Sequence, residues 1–439
     1  MAEGEAYGVD TLGTVAIQTH GCKLNQADSA AIARRFIQAG YRVVGPSEPA
    51  DIYVVNTCTV THTADSKARQ ALRATRHKNP SALVVATGCY AQHDPEGLAR
   101  VKGVDLVVDN SKKDRLVEMV LAARGDQPVP CATGNESPLL PMGLGLGRTR
   151  AMVKIQEGCD QVCAYCIVPK VRGRERSIPP ETLRSQINQY VREGYKEVVL
   201  TGTQLGSYGF DLDGLNLSGL LEYLLRETCV ERLRVSSLQP QEITEKLLRL
   251  WADPRLCPHF HIPLQSGSDY VLKRMRRRYT VSQYGDAVDR VRQSVEGVSI
   301  TADVIVGFPG EDEGHFQKSL QTVRSMDFAS MHVFPYSIRP GTSAAFMGPQ
   351  VDESLKRERM GEMLAVARAQ SSAFRQSSLG TIRHVLWEME EVRGGKLHYV
   401  GLTDNYLRLY TESDGSLLNR ITPARLLSEV DEGLWVEAL

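Results

Sequence analysis

The sequence predicts an α/β protein with three parts: an N-terminal doubly wound parallel sheet, a central (β/α)6 partial TIM barrel and a small C-terminal antiparallel β-barrel. Three observations carry this prediction. Short apolar runs alternate with helical patterns up to about residue 125, the same rhythm resumes at residue 148 with a longer period, and only short β runs follow Gly380. Strand–helix alternation is typical of parallel sheets with crossover helices, whereas serial short strands favour a barrel.

Composition sets the class of protein. The chain has 439 residues, of which 42% are hydrophobic and 24% charged, and this suits two or three globular domains. Its formal net charge is zero, so nucleic-acid binding would depend on local basic patches. No apolar run is long enough to span a bilayer, and the acidic start MAEGEAYGVD resembles no targeting peptide. Nine cysteines without a secretory signal predict a cytoplasmic protein whose thiols bind metal.

The first 128 residues are predicted to form one domain. Apolar, β-branched runs predict strands that begin at Thr14, Asp51, Ala82 and Asp105, and helical patterns cover Asn25 to Ala39 and His62 to Lys78.

Three cysteines fall just beyond three of these strands. Cys22, Cys58 and Cys89 lie in the turns HGCK, NTCT and TGCY. Because ligands in open α/β sheets bind at the carboxyl ends of strands, the three thiols are expected to meet at one edge of the sheet. Free cysteine is also a common core residue, but core cysteines would more often lie within strands. The trio is therefore a candidate for a 4Fe–4S cluster with one iron that lacks a protein ligand.

A Pro- and Gly-rich stretch from residue 127 to residue 147 predicts a domain boundary, and Cys131 within it is predicted to have no metal role. The predicted central domain covers residues 148–375, and the predicted C-terminal domain covers residues 376–439. Six strands of the central domain are predicted to begin at Ala151, Glu197, Arg232, His259, Ser299 and Ser330.

Polar or Gly-rich turns end four of the central strands. In a (β/α) barrel the working residues lie at the carboxyl ends of the strands, so these turns together predict a cofactor pocket. The candidate cofactor-binding residues are Thr201, Gly202, Gln204, Ser236, Ser237, Gln265, Ser266, Gly307 and Gly310.

The segment GCDQVCAYC, from Gly158 to Cys166, follows the first central strand. It spaces Cys159, Cys163 and Cys166 as C-x3-C-x2-C. Three thiolates on one short loop can hold three irons of a 4Fe–4S cluster and leave the fourth iron open to a substrate or cofactor. The alternative is a zinc loop, but structural zinc takes four protein ligands and no fourth Cys or His follows nearby.

Two basic segments are candidate nucleic-acid contacts. Lys170 to Ser177 contributes Arg172 and Arg174, and Lys273 to Arg278 contributes Arg276, Arg277 and Arg278. Arginine pairs with phosphate through two hydrogen bonds, although any single arginine can equally form a structural ion pair.

The C-terminal region begins with a long charged helix, predicted from Asp352 to Ser377, and continues in short β runs. Residues 376–439 contain 6 Lys and Arg against 10 Asp and Glu. This acidic balance argues against strong electrostatic RNA binding by the predicted β-barrel alone.

These motifs together resemble the radical S-adenosylmethionine (SAM) methylthiotransferases. The C-x3-C-x2-C loop is similar to the radical SAM signature, Cys22, Cys58 and Cys89 are similar to the N-terminal trio of that family, and the final β-barrel resembles its TRAM domain. Stretches such as GCKLNQ, HIPLQSGSD and VFPYSIRPGTSAA extend the resemblance over nearly the whole chain. They are most similar to the subgroup that modifies threonylcarbamoyladenosine beside the anticodon of tRNA.

The resemblance implies an enzyme with two 4Fe–4S clusters and SAM. Cys159, Cys163 and Cys166 would hold the SAM cluster, Cys22, Cys58 and Cys89 would hold an auxiliary cluster, and no other catalytic residue is implied. The implied partners are the tRNA anticodon loop, an electron donor such as flavodoxin or ferredoxin, and a sulfur source, with no membrane. Two departures concern local contacts: Gln239 and Ile178 stand where relatives often have Glu and Arg.

Three alternative functions stay open at this stage. Within the family, the substrate could be isopentenyladenosine in tRNA or an aspartate of a ribosomal protein. Outside catalysis, the chain could be a metal-bearing RNA-binding protein.

Overall fold

The computed structural model describes residues 11–127, 149–393 and 396–439, and the described chain divides into two compact units. Unit 1 contains residues 11–127 together with Lys170–Arg172, and unit 2 contains residues 149–169 and 173–439. The Pro- and Gly-rich stretch beyond residue 127, with Cys131, lies outside the described residues. No helix in the described ranges is long and apolar enough to cross a membrane.

Unit 1 is built on a five-stranded, wholly parallel sheet with the order β2-β1-β3-β4-β5. The strands are β1 Gly13–Thr19, β2 Tyr41–Val44, β3 Ile52–Thr57, β4 Leu83–Gly88 and β5 Leu106–Val108. The helices are α1 Lys23–Gln38, α2 His62–Lys78, α3 Cys89–His93, α4 Pro95–Ala99 and α5 Leu116–Arg124, with a 3-10 turn at Lys113–Arg115. One apolar cluster packs α1 and α5 on the sheet and another packs α2, α3 and α4 on it, so both faces are covered. The predicted doubly wound sheet is confirmed.

The first part of unit 2 contains two three-stranded parallel sheets, β10-β9-β6 and β11-β12-β13. The strands are β6 Arg150–Lys154, β7 Gln156–Glu157, β8 Arg176–Ser177, β9 Glu197–Thr201, β10 Arg232–Val235, β11 His259–His261, β12 Ser299–Val306 and β13 Ser330–Pro335. Parallel bridges from Leu233 to Leu256 and from Ser237 to His261 join the two sheets, so the six strands form the predicted partial barrel. The short antiparallel pair β7–β8 was not predicted.

Helices surround this partial barrel. A short helix, α6 Val168–Arg172, begins in unit 2 and ends with the unit 1 residues Lys170–Arg172. The helices around the barrel are α7 Pro180–Arg192, α8 Leu217–Glu227, α9 Glu245–Leu248, α10 Asp269–Arg274, α11 Val281–Ser294, α12 Glu313–Met326 and α13 Glu353–Ser377. Further 3-10 turns occupy Leu205–Ser207, Pro240–Glu242, Arg249–Ala252 and Ser343–Phe346. One continuous apolar core lies between the strands and these helices.

Five strands close into the C-terminal barrel in the order β14-β15-β16-β18-β17. They are β14 Ile382–Arg393, β15 Lys396–Thr403, β16 Arg408–Glu412, β17 Ile421–Val430 and β18 Gly433–Ala438. The barrel fold is confirmed, and it is antiparallel except for the short parallel pair β16–β18, which closes it. Its core is centred on the fully buried Trp387 and Tyr399.

The C-terminal barrel docks on the amino ends of the central strands through a buried ionic network. Glu197, at the start of β9, is wholly buried and accepts from Arg234 Nε at 2.7 Å. Arg234 also donates to Asp404 O at 2.8 Å, and Arg150, at the start of β6, pairs with Glu388 at 2.5 Å. Because the strands are parallel, this docking surface lies at the opposite end of the partial barrel from the turns that follow the strands.

Candidate cluster and cofactor site

The N-terminal cysteine trio lies where neighbouring parallel strands end. Cys22 caps the start of α1 after β1, Cys58 directly follows β3, and Cys89 directly follows β4 and begins α3. Cys58 and Cys89 are buried and Cys22 is exposed. Burial raises the pKa of Cys58 to about 11, and the charges of Cys89 and Cys22 raise it further.

The backbones of the three turns are tied together. Gly21 has φ +104°, and a Cβ built on it would lie 3.1 Å from Cys58 Sγ. The Asn25 amide donates to His20 O at 2.7 Å and to Thr57 O at 3.1 Å, which joins the first turn to the second. A Cβ on Gly88 would lie 2.4 Å from Thr57 O, so the second and third turns also require a glycine where they meet.

Arg172 bonds to the residues that hold the turns of the N-terminal cysteines, and the nucleic-acid role predicted for it from the sequence is wrong. It was expected at a nucleic-acid surface, but its side chain is almost fully buried in unit 1. Its Nη1 donates to Asp28 at 3.0 Å and its Nη2 donates to Asn25 Oδ1. A guanidinium that is buried and paired in this way cannot serve as a surface contact for phosphate, and instead it supports the asparagine that joins the cysteine turns.

The second cysteine trio lies in unit 2 on the loop that follows β6 and β7. Cys159 is buried, and Cys163 and Cys166 are partly exposed. Burial raises the pKa of Cys159 to about 11 and that of Cys166 to about 12. Gly158 precedes the trio with φ +81°, and a Cβ there would lie 1.8 Å from Arg174 O, so the loop can start only from a glycine.

Gln156 connects the cysteine loop to the turn after β9. It is fully buried, accepts from the backbone N–H groups of Thr203 at 3.0 Å and Gln204 at 2.9 Å, and donates to Gly158 O at 2.8 Å. Sequence reasoning missed this residue, although a polar side chain at the end of an apolar strand was a signal for it.

A polar network extends from the cysteine loop across the strand ends. The Arg277 guanidinium donates to Cys163 Sγ at 3.4 Å and to Gln239 Oε1 at 3.3 Å. Gln239 Nε2 then donates to Gln204 Oε1 at 2.6 Å. Arg277, expected at an RNA surface, is therefore directed inward toward a candidate metal ligand.

Glu242 lies at the end of this network, beside Gln239. Its carboxylate accepts from Gln204 Nε2 and from Gln239 N, the latter at 2.8 Å. Burial raises the pKa of Glu242 to about 7. Gln239, which replaces an expected Glu, thus has a carboxyl group beside it. Ile178, the other departure, packs against the core of the central barrel.

The remaining predicted cofactor residues lie at strand ends as expected, but several have structural partners. Thr201 ends β9, and Ser236 and Ser237 follow β10. Ser266 Oγ bonds to Ser319 Oγ at 3.1 Å, so its hydroxyl is directed toward α12. Gln265 has φ +67°, an unfavourable value for a residue other than Gly.

Gly307 and Gly310 also have packing reasons. Cβ atoms built there would lie 2.4 Å from Lys356 Cγ and 2.8 Å from Arg274 Nε, so protein side chains fill the space that was predicted to admit a flat ligand.

Both trios fit a 4Fe–4S cluster by the chemistry of their donors, since each supplies three free thiols. Within the described ranges, no three His, Cys, Asp or Glu side chains form a group able to hold a single metal ion. A cubane cluster places its three cysteine ligands on three different irons, so it does not need such convergence.

Comparison with known proteins identifies the family. The families described as "Uncharacterized protein family UPF0004" and "Radical SAM superfamily" match residues 14–109 and 153–323. Threonylcarbamoyladenosine tRNA methylthiotransferase MtaB of Bacillus subtilis is 38% identical over 98% of this chain and 97% of its own. The chain belongs to the radical SAM methylthiotransferase family. It is therefore an enzyme of a family whose chemistry uses SAM and a 4Fe–4S cluster.

Further relatives agree with this assignment. The methylthiotransferase MtaB of Aquifex aeolicus is 39% identical over 91% of this chain and 96% of its own. A tRNA-2-methylthio-N(6)-dimethylallyladenosine synthase of Pelotomaculum thermopropionicum is 35% identical over 92% of both chains. The structure of the radical SAM methyltransferase TsrM of Kitasatospora setae has a TM-score of 0.56 at 14% identity and covers 75% of this chain and 76% of TsrM, a likeness that concerns the fold alone.

Proposed function

We propose that this methylthiotransferase adds a methylthio group to carbon 2 of threonylcarbamoyladenosine next to the anticodon of tRNA. The observation that carries the proposal is the near full-length identity to relatives named for this reaction, in a chain that has both cysteine trios at strand ends. The relative named for dimethylallyladenosine makes that nucleoside the second candidate substrate.

We assign Cys159, Cys163 and Cys166 to the cluster that binds SAM, and Cys22, Cys58 and Cys89 to an auxiliary cluster. When bound, that cluster would supply the electron for cleavage of SAM, a chemistry that gives access to an aromatic C–H bond beyond the reach of acid–base catalysis. The hydrogen of carbon 2 would pass to the 5′-deoxyadenosyl radical released from SAM and leave as 5′-deoxyadenosine. A sulfide held at the auxiliary site would form the new carbon–sulfur bond and give one electron to the cluster there, and a second SAM would supply the methyl group. A flavodoxin or ferredoxin would supply the electron, and a separate sulfur source would replenish the sulfur.

The protein's own residues position the cysteine ligands and the turns where SAM would bind. Arg277 fixes Cys163, Gln156 holds the turn after β9 against the cysteine loop, and the Gln204–Gln239 pair presents amide groups at the strand ends where SAM would bind. In unit 1, Asn25 fixes the turns that carry Cys22 and Cys58. The target adenine must leave the anticodon-loop stack, which costs less in a single-stranded loop than in a duplex.

Mass spectrometry of tRNA nucleosides tests the substrate. A strain that lacks this protein should accumulate threonylcarbamoyladenosine without its methylthio group, and the wild-type gene should restore the modification. A loss of methylthio-isopentenyladenosine, or of methylthio-aspartate in a ribosomal protein, with threonylcarbamoyladenosine unaffected would reject the proposal.

Two variants test the cluster assignment. Replacing Cys159, Cys163 and Cys166 with Ala should abolish reductive cleavage of SAM to 5′-deoxyadenosine. Replacing Cys22, Cys58 and Cys89 with Ala should retain some SAM cleavage, abolish thiolation and lower the iron content. Unchanged iron in the second variant would reject the auxiliary cluster.

A further inference from the structure

The basic segment from Lys273 to Arg278 divides into two sets of side chains. Arg274 donates to Pro309 O and Gly348 O, and Arg277 donates to Cys163 and Gln239, so these two serve the interior of unit 2. Lys273, Arg276 and Arg278 are exposed. The cations available to a partner are therefore Lys273, Arg276 and Arg278.

An exposed aromatic ring belongs to the same neighbourhood. Ala164, inside the cysteine loop, accepts from Ala344 N at 2.8 Å and donates its own N–H to Met275 O at 3.0 Å. These two bonds place the segment Ser343–Phe346 and the basic segment beside the same residue of the loop. Phe346 is 86% exposed, the highest value for a large hydrophobic residue in the described parts of the chain. Val162, also in the loop, is 66% exposed.

The backbone at Arg276 is unusual for an arginine. It has φ +58°, in the left-handed region that glycine or asparagine ordinarily occupies after a helix. Here it follows the end of α10, and Arg276 N donates to Lys273 O at 3.0 Å. A charged, exposed side chain thus stands where the local geometry favours a glycine, and neither packing nor capping requires that side chain.

We propose that Phe346, Arg276 and Arg278 form an RNA-binding rim beside the cysteine loop, which a single-stranded loop of the substrate RNA occupies. A base stacks on the Phe346 ring, and the phosphates next to it pair with Arg276 and Arg278. Exposed aromatic rings between cations are the usual means of holding unpaired nucleotides, because bases stack on the rings and phosphates carry the opposite charge. This inference rests on the proposed tRNA function and names the residues that hold the substrate.

The test measures the affinity of the cluster-loaded protein for a synthetic anticodon stem-loop RNA by fluorescence anisotropy. F346A should bind about tenfold more weakly or worse, F346L should lose nearly as much because leucine has no ring, and F346Y should retain most of the affinity. If F346L binds as tightly as wild type, stacking is excluded and the proposal fails. If F346A keeps the full affinity for the stem-loop RNA, Phe346 does not contact the RNA and the proposal is rejected.

Substitution of Arg276 separates an effect on RNA binding from an effect on protein stability. R276G relieves the left-handed strain, so its melting temperature should equal or exceed that of wild type. Its RNA affinity should fall, and the slope of log affinity against log salt concentration should decrease by about one, the value for one phosphate contact. Arg368, exposed on α13, supplies the matched control, since R368A should change neither quantity. An R276G protein with unaltered RNA affinity would overturn the assignment.

The same experiment distinguishes the rim from the function on which it rests. If wild type fails to bind the stem-loop, the proposed tRNA function itself is rejected. If wild type binds the RNA and the variants bind as well as it does, only the rim is rejected. If F346A instead loses binding to a peptide of a ribosomal protein and not to RNA, the surface recognises protein and the inference is wrong.

Discussion

Arg277 joins the polar network directly to a candidate cluster ligand. Its N–H group donates to Cys163 Sγ at 3.4 Å, and its guanidinium stacks 5.0 Å from the centre of the Tyr279 ring. Hydrogen bonds to cluster sulfurs and nearby positive charge stabilise the reduced, more negative cluster and so raise its reduction potential. The contact therefore gives the arginine a role that its position in a basic run does not suggest.

Replacing Arg277 with Met should lower the reduction potential of the cluster on Cys159, Cys163 and Cys166. An anaerobic redox titration followed by electron paramagnetic resonance measures this potential. R278M removes the adjacent but exposed charge and should have a much smaller effect. An equal shift in both variants would mean that net charge, and not the hydrogen bond to Cys163, sets the potential.

Glu242 should make stability depend on pH. Its pKa in the folded protein is about 7, against an ordinary value of 4.5, because burial disfavours the charged carboxylate. Between these pH values the folded state holds a proton that the unfolded state has lost, so stability falls as pH rises from 4.5 to 7 and levels off above 7. The loss should amount to about 3 kcal/mol.

E242Q carries no charge at any pH and should remove this part of the slope. Urea unfolding of both proteins at several pH values between 4.5 and 8 provides the comparison. A difference between E242Q and wild type that does not vary with pH would show that Glu242 is not the titrating group.

Among the elements, the strand ends that carry the cysteines could be predicted because strands and turns are local in sequence. Cys58 and Cys89 directly follow apolar, β-branched runs, and these runs with the polar turns after them located both strand ends. The short edge strand β2 and the last strand β18 escaped prediction, because each continues closely from another element and has little pattern of its own.

The burial and the hydrogen-bond partners of Arg172 and Arg277 could not be predicted from composition. Their partners Asp28 and Cys163 lie far away in sequence, and only the folded chain brings them together. A dense basic run therefore predicts an electrostatic patch, but it does not show which of its arginines face the solvent.

The contact between Arg172 and α1, both in unit 1, can be tested by substitution. R172A leaves Asp28 with Lys113 Nζ at 2.8 Å but removes one of its two buried cations and the donor to Asn25 Oδ1. Breaking a buried pair in this way should cost roughly 3 kcal/mol of unfolding free energy. R174A, two positions further and exposed, should change stability by no more than about 0.5 kcal/mol. Equal effects in urea unfolding would contradict the structural role of Arg172.

At the scale of the whole molecule, the buried network gives the C-terminal barrel a structural role as well as any role in binding RNA. Burial alone would raise the pKa of Glu197, but Arg234, Arg150 and Arg232 together lower it to about 2. Arg232 donates to His384 O, and the Tyr406 ring stacks on His259 with 4.5 Å between the ring centres. The central strands and the C-terminal barrel thus share their most deeply buried charges, and the two should unfold together.

E197Q tests this coupling. Loss of the carboxylate leaves Arg234 and Arg232 buried without their shared anion, which should cost roughly 3–5 kcal/mol. The exposed pair of Lys196 and Glu231 supplies the control, since E231Q should cost less than about 1 kcal/mol.

Tryptophan fluorescence can report on the C-terminal barrel alone. The chain has three tryptophans, and replacing Trp251 with Phe leaves Trp387 and Trp435, which both lie in barrel strands. In that background E197Q should lower the barrel's fluorescence transition and the helical circular dichroism transition to the same urea concentration. The C-terminal barrel folds independently if its fluorescence transition stays at the wild-type position while the helices unfold earlier. The ionic network would then be only a contact between two separately stable parts.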